Sequence, residues 1–144
     1  KISVPSEILS RTGKLLDEDV NFLKIHCRIG YEILEPVNFP WPVAEIALQH
    51  HEHLDGSGYP QGLRKKQILL ESRIVCVADV VESLTAHRPY RPAFSLEQAL
   101  SAIKKNAGKC YDRQIVDVCC GLFEKGYNII AVDMDELTWM ASLT

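Results

Sequence analysis

The sequence contains no apolar run long enough to cross a membrane. Its longest unbroken apolar stretch is Ile74–Ala78, whereas a membrane-spanning helix needs roughly 18 apolar residues. Lys1–Arg11 holds no apolar segment of the kind that forms the core of a signal peptide. The sequence also lacks an initiator methionine, so we expect residue 1 to be an interior or processed position of a longer protein. These absences predict a domain without a membrane span, and its reduced cysteines favour the cytoplasm.

Cysteine is present in an odd number, and no C-x-x-C motif occurs. This pattern excludes a conventional disulfide framework and favours reduced thiols. It also argues against a thiolate metal site. Three of the five cysteines occupy apolar positions of helical patterns, namely Cys27, Cys76 and Cys119; the other two are Cys110 and Cys120.

The chain has no excess of positive charge, since its formal net charge is −3. General affinity for a nucleic acid polymer is therefore not expected. Residues 61–92 nevertheless hold six basic and three acidic side chains, which makes this stretch locally basic. Such a patch suits a small phosphorylated ligand better than a long polyanion, although charge alone favours an ordinary solvated surface with no ligand.

Neither an internal repeat nor a linker divides the 144 residues, so residues 1–144 are predicted to form a single domain. No alternating pattern typical of a β-strand occurs before residue 127. Helical spacing recurs instead, which predicts an all-α fold. A helical bundle of about six to seven helices is expected, with residues 54–63 as an ordered loop because four of them are glycine or proline.

Helix boundaries are indicated by charged, capping and helix-breaking residues. Acidic residues at 17–19 open a helix that carries one apolar stripe as far as Leu34 and ends at Pro36. Pro42 can begin the next helix. A long, largely buried helix is predicted over Ile68–His87. The later signals are a Ser95/Gln98 capping box, a Gly108 terminator, an Asp112 cap and a closing Gly126. Towards the ends of the chain, Pro5–Leu9 can form a short helix, Asn128–Val132 an extended segment and Asp133–Leu143 a further short helix.

Three features point to metal chemistry. His50 and His51 are adjacent, and neighbouring side chains on a helix diverge by about 100°, so both reach one cluster only near a helix end. Asp79 interrupts an apolar stretch, where a buried carboxylate needs a partner or a metal. His26 lies beside an apolar stripe. Imidazole and carboxylate donors suit Fe, Mn, Zn or Co. Alternatively, His26 is a hydrogen-bonded core residue and Asp79 caps a helix or pairs with Arg73.

The segment His50–Leu63 closely resembles the HHE-x-x-DGxGYPxGL signature of HD-GYP domains, a subset of the HD superfamily of metal-dependent phosphohydrolases. Further segments match this family in its own order. Lys1–Pro5 resembles the end of HDxGKIxVP, Pro5–Leu15 the following P-x-x-IL segment, Arg73–Asp79 the RI-x-x-VAD helix, and Leu84–Arg91 the LT-x-x-RPYR segment.

This resemblance implies a helical bundle around two or three divalent metal ions, usually iron or manganese. It implies hydrolysis of cyclic di-GMP to pGpG or GMP. By motif position, the metal ligands are His26, His50, His51 and Asp79, with Lys1 and Asp79 in the catalytic machinery. Substrate contacts fall on Tyr59, Arg88 and Arg91, and contacts with diguanylate cyclase (GGDEF) partners fall on Gly58, Tyr59 and Pro60. A homodimer and an upstream sensory or receiver domain are also expected.

Several positions depart from the family pattern. If Lys1 ends HDxGK, the His-Asp pair of that motif precedes residue 1, so the chain alone is expected to bind metal weakly and to hydrolyse no cyclic di-GMP. Cys27 stands where the family has proline, and Lys65 and Arg113 also differ; none of the three is expected to touch the metal. The alternative function is a non-catalytic module that binds a cyclase. In either case His26, His50, His51 and Asp79 are predicted to converge.

Overall fold

The computed structural model describes residues 16–87 and 92–127. Within these ranges the chain is helical and contains no β-strand, which confirms the all-α prediction. The terminal predictions for Pro5–Leu9, Asn128–Val132 and Asp133–Leu143 lie outside these ranges. The elements are α1 (Asp17–Lys24), α2 (His26–Leu34), α3 (Val43–Gln49), a 3₁₀ turn (Lys65–Gln67), α4 (Leu70–Thr85), α5 (Leu96–Lys105) and α6 (Arg113–Glu124).

Helices α1 and α2 correspond to the single helix predicted between residue 17 and Pro36. Asp19 supports the start of α1, because its carboxylate accepts a hydrogen bond from the backbone N–H of Leu16 at 2.9 Å. The two helices meet at Ile25, which keeps helical dihedral angles but donates its N–H to Phe22 three residues earlier. This tightened turn makes His26 the first residue of α2.

Helix α4 is the central element, since it packs against α3, α5 and α6. The core cluster consists of five buried residues on α4, α5 and α6: Val77, Val81, Ile103, Val116 and Cys120. Helices α2 and α3 pack against each other, and α3 also contacts α4. Cys27 on α2 and Ala44 on α3 are buried. The joint between these two packed groups positions the candidate site.

The predicted caps of α5 and α6 are confirmed. The Ser95 hydroxyl accepts from the Gln98 N–H at 3.2 Å, and the Gln98 side chain accepts from the Ser95 N–H at 2.9 Å. The Asp112 carboxylate accepts from the Gln114 N–H at 3.1 Å. Gly126 lies one residue beyond Lys125, the C-terminal cap of α6, and has a φ of 91°. Gly108 also adopts a positive φ, but it lies two residues beyond the last helix-capping residue instead of one.

The prediction that α4 is largely buried is wrong for one of its faces. Leu70, Ile74 and Val75 are all exposed, and Ile74 retains 48% of its accessible surface. The described residues cover only the face that carries Cys76, Val77 and Val81. The helix is also shorter than the predicted Ile68–His87. No helix of the described ranges combines the length and apolar character needed to span a membrane.

Candidate metal centre

Three histidines meet where α2 begins and α3 ends. His26 opens α2, His50 caps the C-terminus of α3, and His51 follows it directly. Their rings lie within 4.1–5.3 Å of one another, centroid to centroid. The adjacent pair can face one cluster because the helix ends between Gln49 and His51, which frees the backbone from the 100° step of a continuous helix.

The rings of His26 and His50 are oriented in the way that metal-binding histidines usually are. The Nδ1 atom of His26 donates to the Leu23 carbonyl, and Nδ1 of His50 donates to the Ala47 carbonyl at 2.7 Å. A histidine whose Nδ1 donates to a carbonyl presents the lone pair of Nε2 to a metal. The two Nε2 atoms lie 3.2 Å apart.

This spacing fits a shared cation. Two nitrogen ligands with metal–nitrogen bonds of about 2.0–2.1 Å and a tetrahedral angle lie about 3.3 Å apart. Two lone pairs facing each other at this distance repel, and either a metal ion bound between them or a proton on one imidazole removes the repulsion. The donor set therefore fits a divalent metal ion, and His51 contributes a further ligand atom within 4.8 Å of the others.

Asp79 reaches the same cluster from α4. Its Oδ2 atom lies 3.7 Å from Nδ1 of His51, so the structure brings together all four residues that were expected to converge. The sequence argument from burial is wrong, however, because the Asp79 side chain is 40% exposed. Pairing with Arg73 is also excluded, since that guanidinium binds Asp112 at 2.7 Å.

Tyr59 forms one wall of the cluster. Its backbone N–H donates to the His51 carbonyl at 3.2 Å, and its ring lies 4.8 Å from the His51 ring. Burial raises the pKa of Tyr59 well above its ordinary value, so the hydroxyl stays protonated at neutral pH. The ammonium of Lys24 lies 5.5 Å from the centre of the tyrosine ring and adds a cation beside the site.

Glu52 holds the glycine-rich loop against the histidines, a role that sequence reasoning missed. The side chain is only 2% exposed. One carboxylate oxygen accepts from the N–H groups of Gln61 and Gly62 at 2.6 and 3.1 Å, and the other accepts from Leu63 at 3.0 Å. The sequence signal for this role is its position immediately after the histidine pair and just before the glycine-rich loop.

The loop also approaches the histidine backbone closely at Gly58. A Cβ atom at this position would lie 2.4 Å from both the His51 carbonyl oxygen and the His53 nitrogen. Glycine is therefore required by the close contact of two backbone segments. The predicted partner surface at Gly58, Tyr59 and Pro60 is only partly accessible, since Pro60 alone is exposed, and its role stays a prediction.

Cys27 lies nearer the cluster than expected. Its Sγ atom is 3.6 Å from Nε2 of His26, and it lies within 4.8 Å of the ligand atoms of His50 and His51. Burial, followed by the negative charges of Glu52 and Asp79, raises the pKa of this thiol to about 12.

A second group of possible ligands consists of His53, Asp55 and Cys110. Hydrogen bonds from the hydroxyl and N–H of Ser57 satisfy Asp55 and lower the pKa of its carboxyl group. His53 is half-buried, and its Nδ1 atom lies 3.0 Å from the Ser57 hydroxyl oxygen.

Three of the predicted site residues lie outside the described ranges, namely Lys1, Arg88 and Arg91. Their catalytic and substrate-binding roles stay predictions. Among the described residues, Lys65 and Arg113 do not belong to the histidine cluster. Lys65 begins the 3₁₀ turn and Arg113 begins α6.

Comparison with known proteins identifies a matching family and two similar relatives. The family model for the HD domain matches residues 1–115. A cyclic di-GMP phosphodiesterase response regulator from Xanthomonas campestris pv. campestris (strain 8004) is 44% identical over 119 residues, which cover 81% of this chain and 32% of the relative. A cyclic di-GMP phosphodiesterase from Thermotoga maritima is 38% identical over 140 residues, which cover 96% of this chain and 38% of that protein.

A solved structure supports the fold. The crystal structure of a cyclic GMP-AMP-specific phosphodiesterase from Vibrio cholerae matches with a TM-score of 0.61 at 24% identity, over 78% of this chain and 26% of that one. The chain thus spans about a third of the length of the curated relatives described above. The family match covers most of the sequence, and the glycine-rich loop with Gly58, Tyr59 and Pro60 packs against the histidine cluster. The chain therefore belongs to the HD-GYP group of the HD domain family.

Proposed function

We propose that this chain is the metal-dependent phosphodiesterase domain of a protein that hydrolyses cyclic di-GMP to pGpG or GMP. The observation that carries the proposal is the pair of His26 and His50 Nε2 atoms, held 3.2 Å apart with both Nδ1 atoms bonded to carbonyls. The two curated relatives described above, which bear the name cyclic di-GMP phosphodiesterase, support the substrate.

The proposed metal ligands are His26, His50, His51 and Asp79. Nitrogen and carboxylate donors suit iron or manganese, and two or three ions are proposed. When bound, such ions lower the pKa of water and offset charge on phosphoryl oxygens. The Asp79 carboxylate lies 3.7 Å from His51 Nδ1, so Asp79 on α4 and His51 after α3 are positioned to hold an ion from two sides.

The remaining residues bind and orient the dinucleotide. The protonated Tyr59 hydroxyl is a hydrogen-bond donor beside His51, and Lys24 adds positive charge next to its ring. Arg88 and Arg91 are proposed to bind phosphate through paired N–H groups, and Lys1 is proposed to contact the same substrate. Glu52 holds the loop in place beside His51 through its bonds to the backbone N–H groups of residues 61–63.

The proposal is tested by following product formation from cyclic di-GMP chromatographically. The protein that carries this chain is loaded anaerobically with Fe²⁺ or Mn²⁺ before the assay. We expect pGpG or GMP from the unmodified protein and none from His50→Ala. The control His53→Asn preserves the bond to Ser57 Oγ and should retain activity.

A parallel assay with 3′,3′-cyclic GMP-AMP separates substrate from reaction class. Hydrolysis of this substrate alone would contradict the proposed substrate and leave the phosphodiesterase reaction in place. Absence of hydrolysis of both dinucleotides by metal-loaded protein would contradict the proposed function.

A further inference from the structure

We propose that Cys27 supplies a sulfur ligand to the histidine metal centre of this protein. The inference rests on the proposed metal site and adds a ligand to it. Cys27 is the second residue of α2, directly after His26, and it is fully buried with 0% of its surface exposed.

The first support is distance. The Cys27 Sγ atom lies 3.6 Å from Nε2 of His26. A sulfur ligand at about 2.3 Å and a nitrogen ligand at about 2.05 Å from one tetrahedral ion lie about 3.6 Å apart. The separation of the two Nε2 atoms, 3.2 Å, is compatible with the same ion.

The second support is the convergence of the ligand atoms. Sγ of Cys27 and one ligand atom each from His26, His50 and His51 all lie within 4.8 Å of one another. A buried cysteine that only fills space behaves as a small apolar side chain, so its sulfur atom does not need to lie near polar ligand atoms. Here the sulfur atom lies instead among the ligand atoms of the three histidines.

Coordination would proceed by exchange of a proton for the metal. The sulfur–hydrogen bond breaks, the proton passes to solvent, and a sulfur–metal bond forms with no change in oxidation state. Thiolate is a softer ligand than imidazole or carboxylate, so this residue would favour thiophilic ions over manganese. Metal selectivity in this protein would then depend on a residue that is proline in the usual family pattern.

Cobalt substitution tests the assignment directly, since thiolate bound to Co²⁺ gives a near-ultraviolet sulfur-to-metal charge-transfer band. Three proteins are compared at equal cobalt occupancy: the unmodified protein, Cys27→Ala and Cys120→Ala. Cys120 is the matched control because it is also buried, at 3% exposed, but belongs to the core cluster with Val81 and Ile103. We expect the band in the unmodified protein and in Cys120→Ala, and its complete loss in Cys27→Ala while the visible bands of bound cobalt persist.

Retention of the charge-transfer band in Cys27→Ala would overturn the inference, as would its absence from unmodified protein that has bound cobalt; either result leaves the histidine site intact. Failure of the unmodified protein to bind cobalt at all would overturn both this inference and the proposed metal centre. If Cys27→Ala does not fold, X-ray absorption of the cobalt-loaded unmodified protein decides, since the inference requires a sulfur neighbour at about 2.3 Å.

Discussion

Glu52 shows how a single buried carboxylate can organise a whole loop. Its two oxygens accept three backbone N–H groups from residues 61–63, and its backbone adjoins His51. Without these bonds, three donors of an otherwise irregular segment would lose their partners. The residue therefore acts on the metal centre through the loop that packs against His51, and we regard it as a positioning residue.

Replacement of Glu52 by glutamine removes the charge and turns one acceptor oxygen into a donor. We expect Glu52→Gln to lower the free energy of unfolding by about 1.5–3 kcal/mol, the usual loss for hydrogen bonds to a charged group. Urea unfolding measures the change. Glu32→Gln, at an exposed site on α2, should change stability by less than about 0.5 kcal/mol. Equal stability of the two variants would show that the Glu52 bonds do not stabilise the loop.

Arg88 carries the residue-scale prediction for substrate binding. We expect Arg88→Ala to weaken turnover by about 1.5–3 kcal/mol, because a charge-assisted hydrogen bond to phosphate is lost. The melting temperature should barely change, since single charged side chains at a surface contribute little to stability. Steady-state kinetics and thermal unfolding together check both parts. A lower melting temperature with unchanged kinetics would identify Arg88 as a structural ion-pair partner.

At the scale of secondary-structure elements, the glycine-rich loop depends on its contact with the histidine backbone. We expect Gly58→Ala to destabilise the protein by about 1–3 kcal/mol, because the added Cβ meets backbone atoms at 2.4 Å that cannot move independently. It should also weaken metal binding, since one of those atoms belongs to His51. Thermal unfolding and metal titration measure the two effects.

Gly121 provides the matched glycine control in the interior of α6. A Cβ atom there would meet nothing within 4 Å. Gly121→Ala should therefore stabilise the helix by about 0.5–1 kcal/mol, because alanine loses less backbone freedom on folding. If Gly58→Ala proved as harmless as Gly121→Ala, the close approach at the loop would be refuted.

Helices α4 and α6 are joined by the ion pair between Arg73 and Asp112, at 2.7 Å and largely shielded from solvent. A double-mutant cycle with Arg73→Met and Asp112→Asn should give a coupling energy of about 1–2 kcal/mol. Asparagine is used because it keeps the cap of α6.

The pair Lys104–Glu124 is the comparison for this cycle. Its atoms are 3.8 Å apart and its side chains are 55% and 72% exposed, so its coupling should be below about 0.5 kcal/mol. Similar coupling energies for the two pairs would contradict a structural role for Arg73.

At the scale of the whole molecule, the sequence predicted features that depend on neighbouring residues better than contacts between residues far apart in the chain. The Ser95/Gln98 and Asp112 caps and the helix end near His50 depend on neighbours within a few residues, so pattern alone was sufficient. The Arg73–Asp112 pair joins positions 39 residues apart, and no periodicity encodes such a contact.

The errors have the same origin. The exposed face of α4 was predicted to be buried because apolar composition does not reveal which face the rest of the fold covers. Asp79 was predicted to be a metal ligand because its apolar neighbours suggested that it is buried. It does lie beside His51, but its side chain is 40% exposed. Cys27 was assigned to an apolar stripe, since the direction of its Sγ depends on how α2 and α3 pack together.

The central claim is that the histidines brought together by α2 and α3 form a divalent metal site. Metal content per chain tests it most directly, measured by elemental analysis after anaerobic loading with Fe²⁺ or Mn²⁺ and removal of free ions by gel filtration. We predict at least one tightly retained ion per molecule of the protein that carries this chain, and its loss in both His26→Ala and His50→Ala, with each variant shown to be folded by circular dichroism. Equal metal content in the unmodified protein and in both folded variants would contradict the claim.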